Sequence, residues 1–497
     1  MGFIQKDALR SMIITYFGLL LGYLNKGILF VLILSTEEIG LINLILSVGL
    51  LFAQLSNLGA INAITKFLPF FRDDSAKKQS FLKLNIIFVF AGILLFSILV
   101  VLLQGQIIKF YSTKSALFVD YYFWIIPIGI ANVFFLVFEA YLRSLFKNIL
   151  SVFLYEFLLR IIITILLVLL AFKYINFNQF FIIHAFVYFI PSLILFIYLF
   201  KLNELKFNKS NLNISKKFKK IILSFSLFSY SNTIGVLLVM TMDAMMIAYY
   251  LGLKETGVYT TILYLTSALQ IPYKSLMRVS TPLIPQYWKE KNMKKMSQLY
   301  QKVSSISLII GLFMFLLIWT SRDELFSFFP REYLPGIWVF LFLMIGRIID
   351  MYFGLNSLIF ITSKKYKYDI VFTFILLVLV FILNIFLIPI YGVIGVAIST
   401  GFALIVYNLA RMLFVFFVYK IHPFHWNQLK IACLFGLILL ATEFVSKIFV
   451  NRYLEIGLNF SFVSIVFLGA IFFFDLEPEI NSYLKKGKIY LQSKFKK

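Results

Sequence analysis

The sequence predicts an all-α polytopic membrane protein. Fourteen transmembrane helices form two six-helix bundles in a parallel pseudo-repeat, with two further helices at the C-terminus. Three observations lead there. Of 497 residues, 61% are apolar and 14% charged, whereas soluble domains run at about 45–50% apolar and about 25% charged. The apolar residues gather into long runs separated by short basic loops. Segments of the first half recur in the second at a nearly constant spacing.

The apolar runs lie at 11–34, 39–66, 81–104, 116–140, 149–171, 179–200, 221–250, 256–283, 303–320, 335–361, 369–388, 392–419, 428–450 and 456–474. Each is near or above the roughly 20 residues that cross a bilayer as a helix. The first run is too long for the core of a signal peptide. It passes through Asn25 and Lys26 without a small-residue cleavage site, so it is expected to be retained. The net charge of +24 does not indicate a nucleic-acid surface, because the Lys and Arg sit in the short loops between runs. With alternate loops on opposite sides and the N-terminus in the cytoplasm, 31 Lys and Arg fall on the cytoplasmic side and 8 outside. That asymmetry is the positive-inside pattern and requires an even number of spans, so both termini are expected in the cytoplasm.

The repeat has an offset of 217 residues. Ser35-Thr-Glu-Glu38-Ile-Gly40-Leu-Ile-Asn43 aligns with Gly252-Leu-Lys-Glu255-Thr-Gly257-Val-Tyr-Thr260, Lys77-Lys78 with Lys294-Lys295, and Tyr174 with Tyr391. Thr65-Lys-Phe-Leu-Pro69 aligns with Thr281-Pro-Leu-Ile-Pro285 at 216. Spans 1–6 (residues 1–200) thus repeat as spans 7–12 (221–420), joined by a basic linker at 201–220. Spans 13 and 14 (421–474) and a basic tail (475–497) follow. Six is even, so the two copies share one orientation, and a cleft is expected between the bundles.

Seven cations remain inside spans: Lys26, Lys66, Arg160, Lys274, Arg278, Arg347 and Arg411. A charge in the bilayer interior costs at least about 2.5 kcal/mol unless it has a partner or water. Lys66 and Arg411 lie near cytoplasmic ends and are expected to snorkel to the headgroups. Arg160 follows Glu156 by one turn, and Arg347 precedes Asp350 by three residues. Each pair can be a structural ion pair or part of a site. In span 8, Gln270, Lys274 and Arg278 recur every four residues with no acid in the span, a stripe that points to water or an anion. The offset also places Lys26 of span 1 at the position of Asp243 in span 7. The two can pair across the cleft, as a fixed bridge or as a gate. Glu443 with Lys447 and Glu139 with Arg143 read as helix-surface pairs.

Enzyme chemistry finds little support, and none is expected. The lone Cys433 excludes a disulfide framework, and His184, His422 and His425 show no metal-binding spacing. There is no Walker A sequence, no Gly-x-Ser-x-Gly elbow and no long outer loop.

The 6+6+2 arrangement, the turn Lys254-Glu-Thr-Gly257-Val-Tyr259 after a span carrying Asp243, and above all Asn384-Ile-Phe-Leu-Ile-Pro389-Ile-Tyr-Gly392-Val-Ile-Gly395-Val-Ala-Ile-Ser-Thr400 resemble a known family. It is the polysaccharide-transporter branch of the multidrug/oligosaccharidyl-lipid/polysaccharide exporter superfamily. The likeness covers nearly the whole chain, and the last motif marks fold rather than cargo. The resemblance implies a flippase of the bacterial cytoplasmic membrane that moves an undecaprenyl-pyrophosphate-linked oligosaccharide outward by alternating access. It would need no cofactor beyond a coupling cation, H+ or Na+. Membrane lipids, a polysaccharide polymerase and the chain-length machinery would be its partners, and nucleic acid would not. It implies an anion-binding cleft built from Arg278, Lys274, Lys26, Arg347 and Arg160, and gate or cation-coupling roles for Asp243, Asp350 and Glu156. In the related lipid II flippases, cations on spans 1, 2 and 8 bind the head group, which maps by position onto Lys26, loosely onto Lys66, and onto Arg278. A lipid II flippase, a cation-coupled drug antiporter and a non-transporting scaffold remain the alternatives.

Overall fold

The computed structural model describes residues 2–71, 74–205, 216–445 and 452–477. Arg72, the middle of the basic linker, Lys447 and the lysine-rich tail lie outside the described residues. Among the described residues there is no strand. The principal helices are α1 (Gly2–Tyr23), α2 (Thr36–Ser56), α3 (Ala60–Phe67), α4 (Ser75–Tyr111), α5 (Ile125–Ser144), α6 (Leu159–Ala171), α7 (Phe177–Val187), α8 (Phe189–Lys201) and α9 (Lys216–Tyr250). They continue with α10 (Leu253–Thr266), α11 (Gln270–Ser280), α12 (Met293–Trp319), α13 (Gly336–Phe353), α14 (Asp369–Tyr391), α15 (Val393–Tyr419), α16 (Trp426–Val445) and α17 (Arg452–Phe473).

Eleven helical segments among the described residues are long and apolar enough to cross a membrane. The expected spans 13 and 14 are present as shorter apolar helices, Trp426–Thr442 and Gly457–Phe473. Span 8 is interrupted: α10 and α11 are separated by a 3-10 turn at Ser267–Leu269.

The helices pack as two compact units, Met1–Leu265 and Thr266–Lys497. The sequence repeat divides the chain in the linker, while packing divides it inside span 8. The two divisions record different things, descent and burial. α9 and α10 open the second copy of the repeat, yet α9 lies against α2 and α3.

In the first unit, α2 starts at a capping box. Ser35 Oγ accepts from Glu38 N–H, and Glu38 Oε2 accepts from Ser35 N–H at 2.8 Å, which satisfies two of the end groups a helix leaves open. α2 ends within its span, where Leu58 and Gly59 adopt positive φ (46° and 82°). A break at this depth must satisfy its own backbone, and it does. Asn57 Nδ2 donates to Gln54 O at 2.5 Å, Gly59 N–H donates to Asn57 Oδ1 at 2.9 Å, and Tyr230 Oη of α9 donates to Leu55 O at 2.6 Å. Span 2 is thereby split into α2 and α3. A partly buried ion pair at the N-terminal end of α4, Lys78 with Glu204 at 2.8 Å, is extended by Tyr141 Oη donating to Glu204 at 2.8 Å. It ties the chain leaving α8 to α4 and α5.

In the second unit, α14 and α15 reverse direction on one residue, Gly392 (φ 58°, ψ −136°). A Cβ on Gly395 would collide with the Leu387 carbonyl, and one on Gly346 would lie 3.1 Å from Gly401 Cα. Small residues therefore let α13, α14 and α15 approach backbone to backbone. Gln428, near the start of α16, accepts from Tyr352 Oη at 2.7 Å and donates to Ser305 Oγ at 3.0 Å and Pro423 O at 2.8 Å. One amide thus fastens α16 to α12 and α13.

Candidate functional site

Two π-helical turns organise the polar interior of the first unit. One, Leu24–Leu29, interrupts span 1 and carries Asn25, Lys26 and Gly27; the other, Phe153–Leu158, precedes α6 and carries Glu156. Such turns change which face a helix presents and recur at functional sites. Here the faces meet. A Cβ on Gly18 would strike the Glu156 backbone, and one on Gly22 would strike the Arg160 guanidinium and Tyr264 Oη. Arg160 donates to Glu156 Oε2 at 2.5 Å through Nη2 and to the Gly18 carbonyl through Nη1. Asn25 Nδ2 donates to Arg160 O at 2.9 Å, and Thr164 Oγ1 lies 2.8 Å from both Asn25 Oδ1 and Arg160 O. The expected Glu156–Arg160 pair is formed, and it also anchors span 1.

Lys26 is held differently. Its ammonium donates to Asn43 Oδ1 of α2 at 3.0 Å and lies 5.6 Å from the centre of the Tyr264 ring, which packs 5.0 Å from Tyr23. Asn43 Nδ2 donates to Thr260 Oγ1 of α10 at 3.1 Å, and Thr260 Oγ1 donates to Thr256 O at 2.8 Å. Asp243, 5% exposed, accepts from Tyr259 Oη at 2.6 Å. The cross-pairing of Lys26 with Asp243 suggested by the repeat is thus replaced by a separate partner for each, a correction with a simple cause. Each charge bonds the following helix of its own copy, at positions 43 and 259. Among the described residues Lys26 forms no ion pair, and its partners, Asn43 and the Tyr264 ring, are neutral. One positive charge is left over, with ammonium hydrogens to spare for an anion.

In the second unit, α11 keeps Gln270, Lys274 and Arg278 on one regular helix. Lys274 and Arg278 are exposed, and among the described residues neither forms an ion pair. Asp350 accepts from Asn408 Nδ2 of α15 at 3.3 Å. No ion pair joins it to Arg347 among the described residues, contrary to the i, i+3 expectation. Side chains on a helix lean toward its N-terminus, so Arg347, which comes first, leans away from the acid.

Arg411 does not snorkel. It is 4% exposed, pairs with Asp369 Oδ1 at 2.6 Å, donates to Tyr407 Oη at 2.6 Å and lies 5.6 Å from the centre of the Phe360 ring. The close packing of α14 on α15 brings Asp369, the first residue of α14, to it. Lys66 is exposed with its ammonium 3.4 Å over the Phe225 ring. Glu139 and Arg143 pair at 3.2 Å. The Glu443–Lys447 pair falls outside the described side chains.

Asn25, Asn43, Thr260, Tyr264, Asn408 and Asp369 were not singled out by the sequence reading. The available signal was an amide in an apolar run, at Asn25 and Asn43, and for Asn43 and Thr260 a shared place in the repeat alignment.

Among solved structures, the chain is similar to the lipid II flippase MurJ in an inward closed conformation, with a TM-score of 0.72 and 17% identity, covering 94% of this chain and 99% of that one. It is also similar to a multidrug resistance MATE family transporter of the MOP superfamily in an inward-facing conformation, with a TM-score of 0.63 and 16% identity over 83% of this chain and 98% of that one. A MOP superfamily transporter from Pyrococcus furiosus matches with a TM-score of 0.57 and 15% identity over 84% and 96%. At these identities the likeness is one of fold. No curated protein matches the sequence. The family model described as polysaccharide biosynthesis protein matches residues 4–288. More than half of the chain lies inside that match, so the chain belongs to the polysaccharide biosynthesis protein family, on the multi-pass membrane fold of the multidrug/oligosaccharidyl-lipid/polysaccharide exporter superfamily.

Proposed function

We propose that this protein is a flippase that carries a polyprenyl-pyrophosphate-linked oligosaccharide across the bacterial cytoplasmic membrane, as a transporter and not as an enzyme. The observation that carries the reading is a set of cations in the expected spans 1 and 8 that no described carboxylate neutralises: Lys26 in the first unit, and, in the second, Lys274 and Arg278, exposed on the short helix α11. Helices do not keep such charges in a bilayer without water or an anionic ligand. A pyrophosphate esterified at both ends supplies several acceptor oxygens and two negative charges, which suits multiple Lys and Arg donors. Membership of a polysaccharide biosynthesis family supports a glycan as the remainder of the cargo. Arg347, which forms no ion pair among the described residues, is a further cation of the same kind, and Arg160, paired with Glu156, is held in reserve. Asp243 and Asp350, both engaged by neutral donors, are the acids on which a coupling H+ or Na+ would act, and Glu156 holds Arg160 in place. Both termini are assigned to the cytoplasm by the basic loops, and a polysaccharide polymerase acting on the delivered unit is the expected partner.

A second reading, lipid II as cargo, is favoured by the fold similarity to MurJ over 94% of the chain. Mass spectrometry of lipid-linked intermediates in cells lacking the gene, with Arg278→Ala beside the wild type, separates the two. Accumulation of an undecaprenyl-pyrophosphate oligosaccharide unrelated to peptidoglycan, with loss of surface polysaccharide, supports the first reading. Accumulation of lipid II with lysis supports the second, and no lipid-linked change refutes both. Wild-type export by Arg278→Ala removes Arg278 from the site.

A further inference from the structure

The two copies of the repeat touch at equivalent positions. Gly40 of α2 and Gly257 of α10 are separated by the 217-residue offset. A Cβ on Gly40 would strike the Leu253 carbonyl, and one on Gly257 the Thr36 carbonyl. One turn along, Asn43 bonds its own equivalent, Thr260. The direction of this hydrogen-bond chain follows from chemistry. An ammonium only donates, so Asn43 turns its carbonyl to Lys26 and its NH2 to Thr260, whose hydrogen goes to Thr256 O. A charge at the head of such a chain polarises and strengthens each bond after it. The hydrogen bond joining α2 to α10 is therefore strongest while Lys26 is free of other partners.

We propose that Asn43 and Thr260 form a latch that an anion on Lys26 releases, so that loading of the cargo head group weakens the α2–α10 crossing. The proposal rests on the reading that Lys26 receives a pyrophosphate. A phosphate oxygen that takes the ammonium hydrogens draws Lys26 from Asn43 Oδ1. Asn43 then keeps a neutral amide–hydroxyl bond to Thr260, and the Gly40–Gly257 contact, at the end of these helices assigned to the outer side, is free to part. No covalent bond changes.

The repeat supplies the test. Exchanging the two residues, Asn43→Thr with Thr260→Asn, keeps one amide and one hydroxyl across the crossing but moves the amide oxygen away from Lys26. Binding of undecaprenyl pyrophosphate to the purified full chain and export in cells are measured together, with membrane abundance as the control. The expected result is wild-type abundance, binding equal to or tighter than wild type, and export reduced by about tenfold or more, the scale of one charge-assisted hydrogen bond. Wild-type binding and wild-type export overturn the latch. Loss of both at normal abundance also overturns it, because Asn43 then only positions Lys26. Should the exchange fail to reach the membrane, Asn43→Asp decides. A carboxylate there pairs permanently with Lys26 and abolishes binding, whereas wild-type binding by Asn43→Asp overturns the proposal. Lys26→Gln separates this from the functional reading. If it binds undecaprenyl pyrophosphate as the wild type does, the head-group assignment fails, whatever the latch does.

Discussion

Asp369→Asn removes the carboxylate that faces Arg411. The pair is 2.6 Å long, and its side chains are 5% and 9% exposed. The guanidinium would keep Tyr407 and the Phe360 ring, but neither carries a negative charge, and Arg411 Nε already has no hydrogen-bond partner. Removing one member of such a pair strands a buried charge and costs about 3–5 kcal/mol. Replacing both members with apolar groups of similar volume is neutral or stabilising by about 1–4 kcal/mol. At about 2–4 °C per kcal/mol for a unit of roughly 200 residues, the single variant should melt at least about 6 °C below the wild type. Thermal unfolding of the purified protein, followed by loss of the monodisperse peak, reads this out for Asp369→Asn, for Arg411→Met and for Asp369→Leu with Arg411→Met. The double variant should recover most of the loss. A single variant that melts with the wild type, or a double variant worse than either single, would refute the view that Arg411 is held by Asp369 rather than by the headgroups.

The remaining expectations are briefer. Gly40→Ala and Gly257→Ala each drive a methyl group into a backbone carbonyl of the partner helix, which cannot yield as a side chain can. Each should lower membrane abundance and melting temperature, and wild-type stability in either would remove the close crossing. Lys274→Gln and Arg278→Gln touch exposed side chains without ion pairs among the described residues. Melting should therefore stay within about 0.5 kcal/mol of wild type while export falls, and destabilisation instead would show these cations to be structural. Undecaprenyl pyrophosphate binding should weaken as salt is raised from low ionic strength, because exposed cations are screened over about 10 Å at 0.1 M. Salt-independent binding would argue against an electrostatic site.

What could be read from the sequence followed from strong, local rules. Long apolar runs must be helices in lipid, so eleven of the fourteen expected spans, all but 8, 13 and 14, appear among the described residues as helices long and apolar enough to cross a membrane. Glu156 and Arg160 were readable as a pair because the acid precedes the base by one turn, the order in which helical side chains lean together. Arg347 and Asp350 have the reverse order, and the acid bonds Asn408 instead. The misreading of Arg411 has a different source. Its partner lies 42 residues away on another helix, and only the packing of α14 on α15 brings them together. The break at Leu58–Gly59 was hidden inside an apolar run because part of what it needs comes from distant residues, Tyr230 on α9 and Gly92 on α4, where a Cβ would strike the Ser56 carbonyl. The Asn43–Thr260 contact was in view in the repeat alignment, as a correspondence between positions. That the corresponding residues also touch is a three-dimensional fact that no alignment contains.

The π turns at Leu24–Leu29 and Phe153–Leu158 also bear on how this chain should be compared with distant relatives. A π turn accommodates one residue more than the α-helix joining the same ends, and one residue amounts to about 100° of rotation. A relative whose first span is a plain α-helix therefore aligns with this chain only if a single-residue gap is opened there. Aligned without the gap, every position on one side of the turn is assigned to a face about 100° from its own. At 17% identity, the placement of two such gaps decides whether a cation in one protein is recognised as the counterpart of a cation in another.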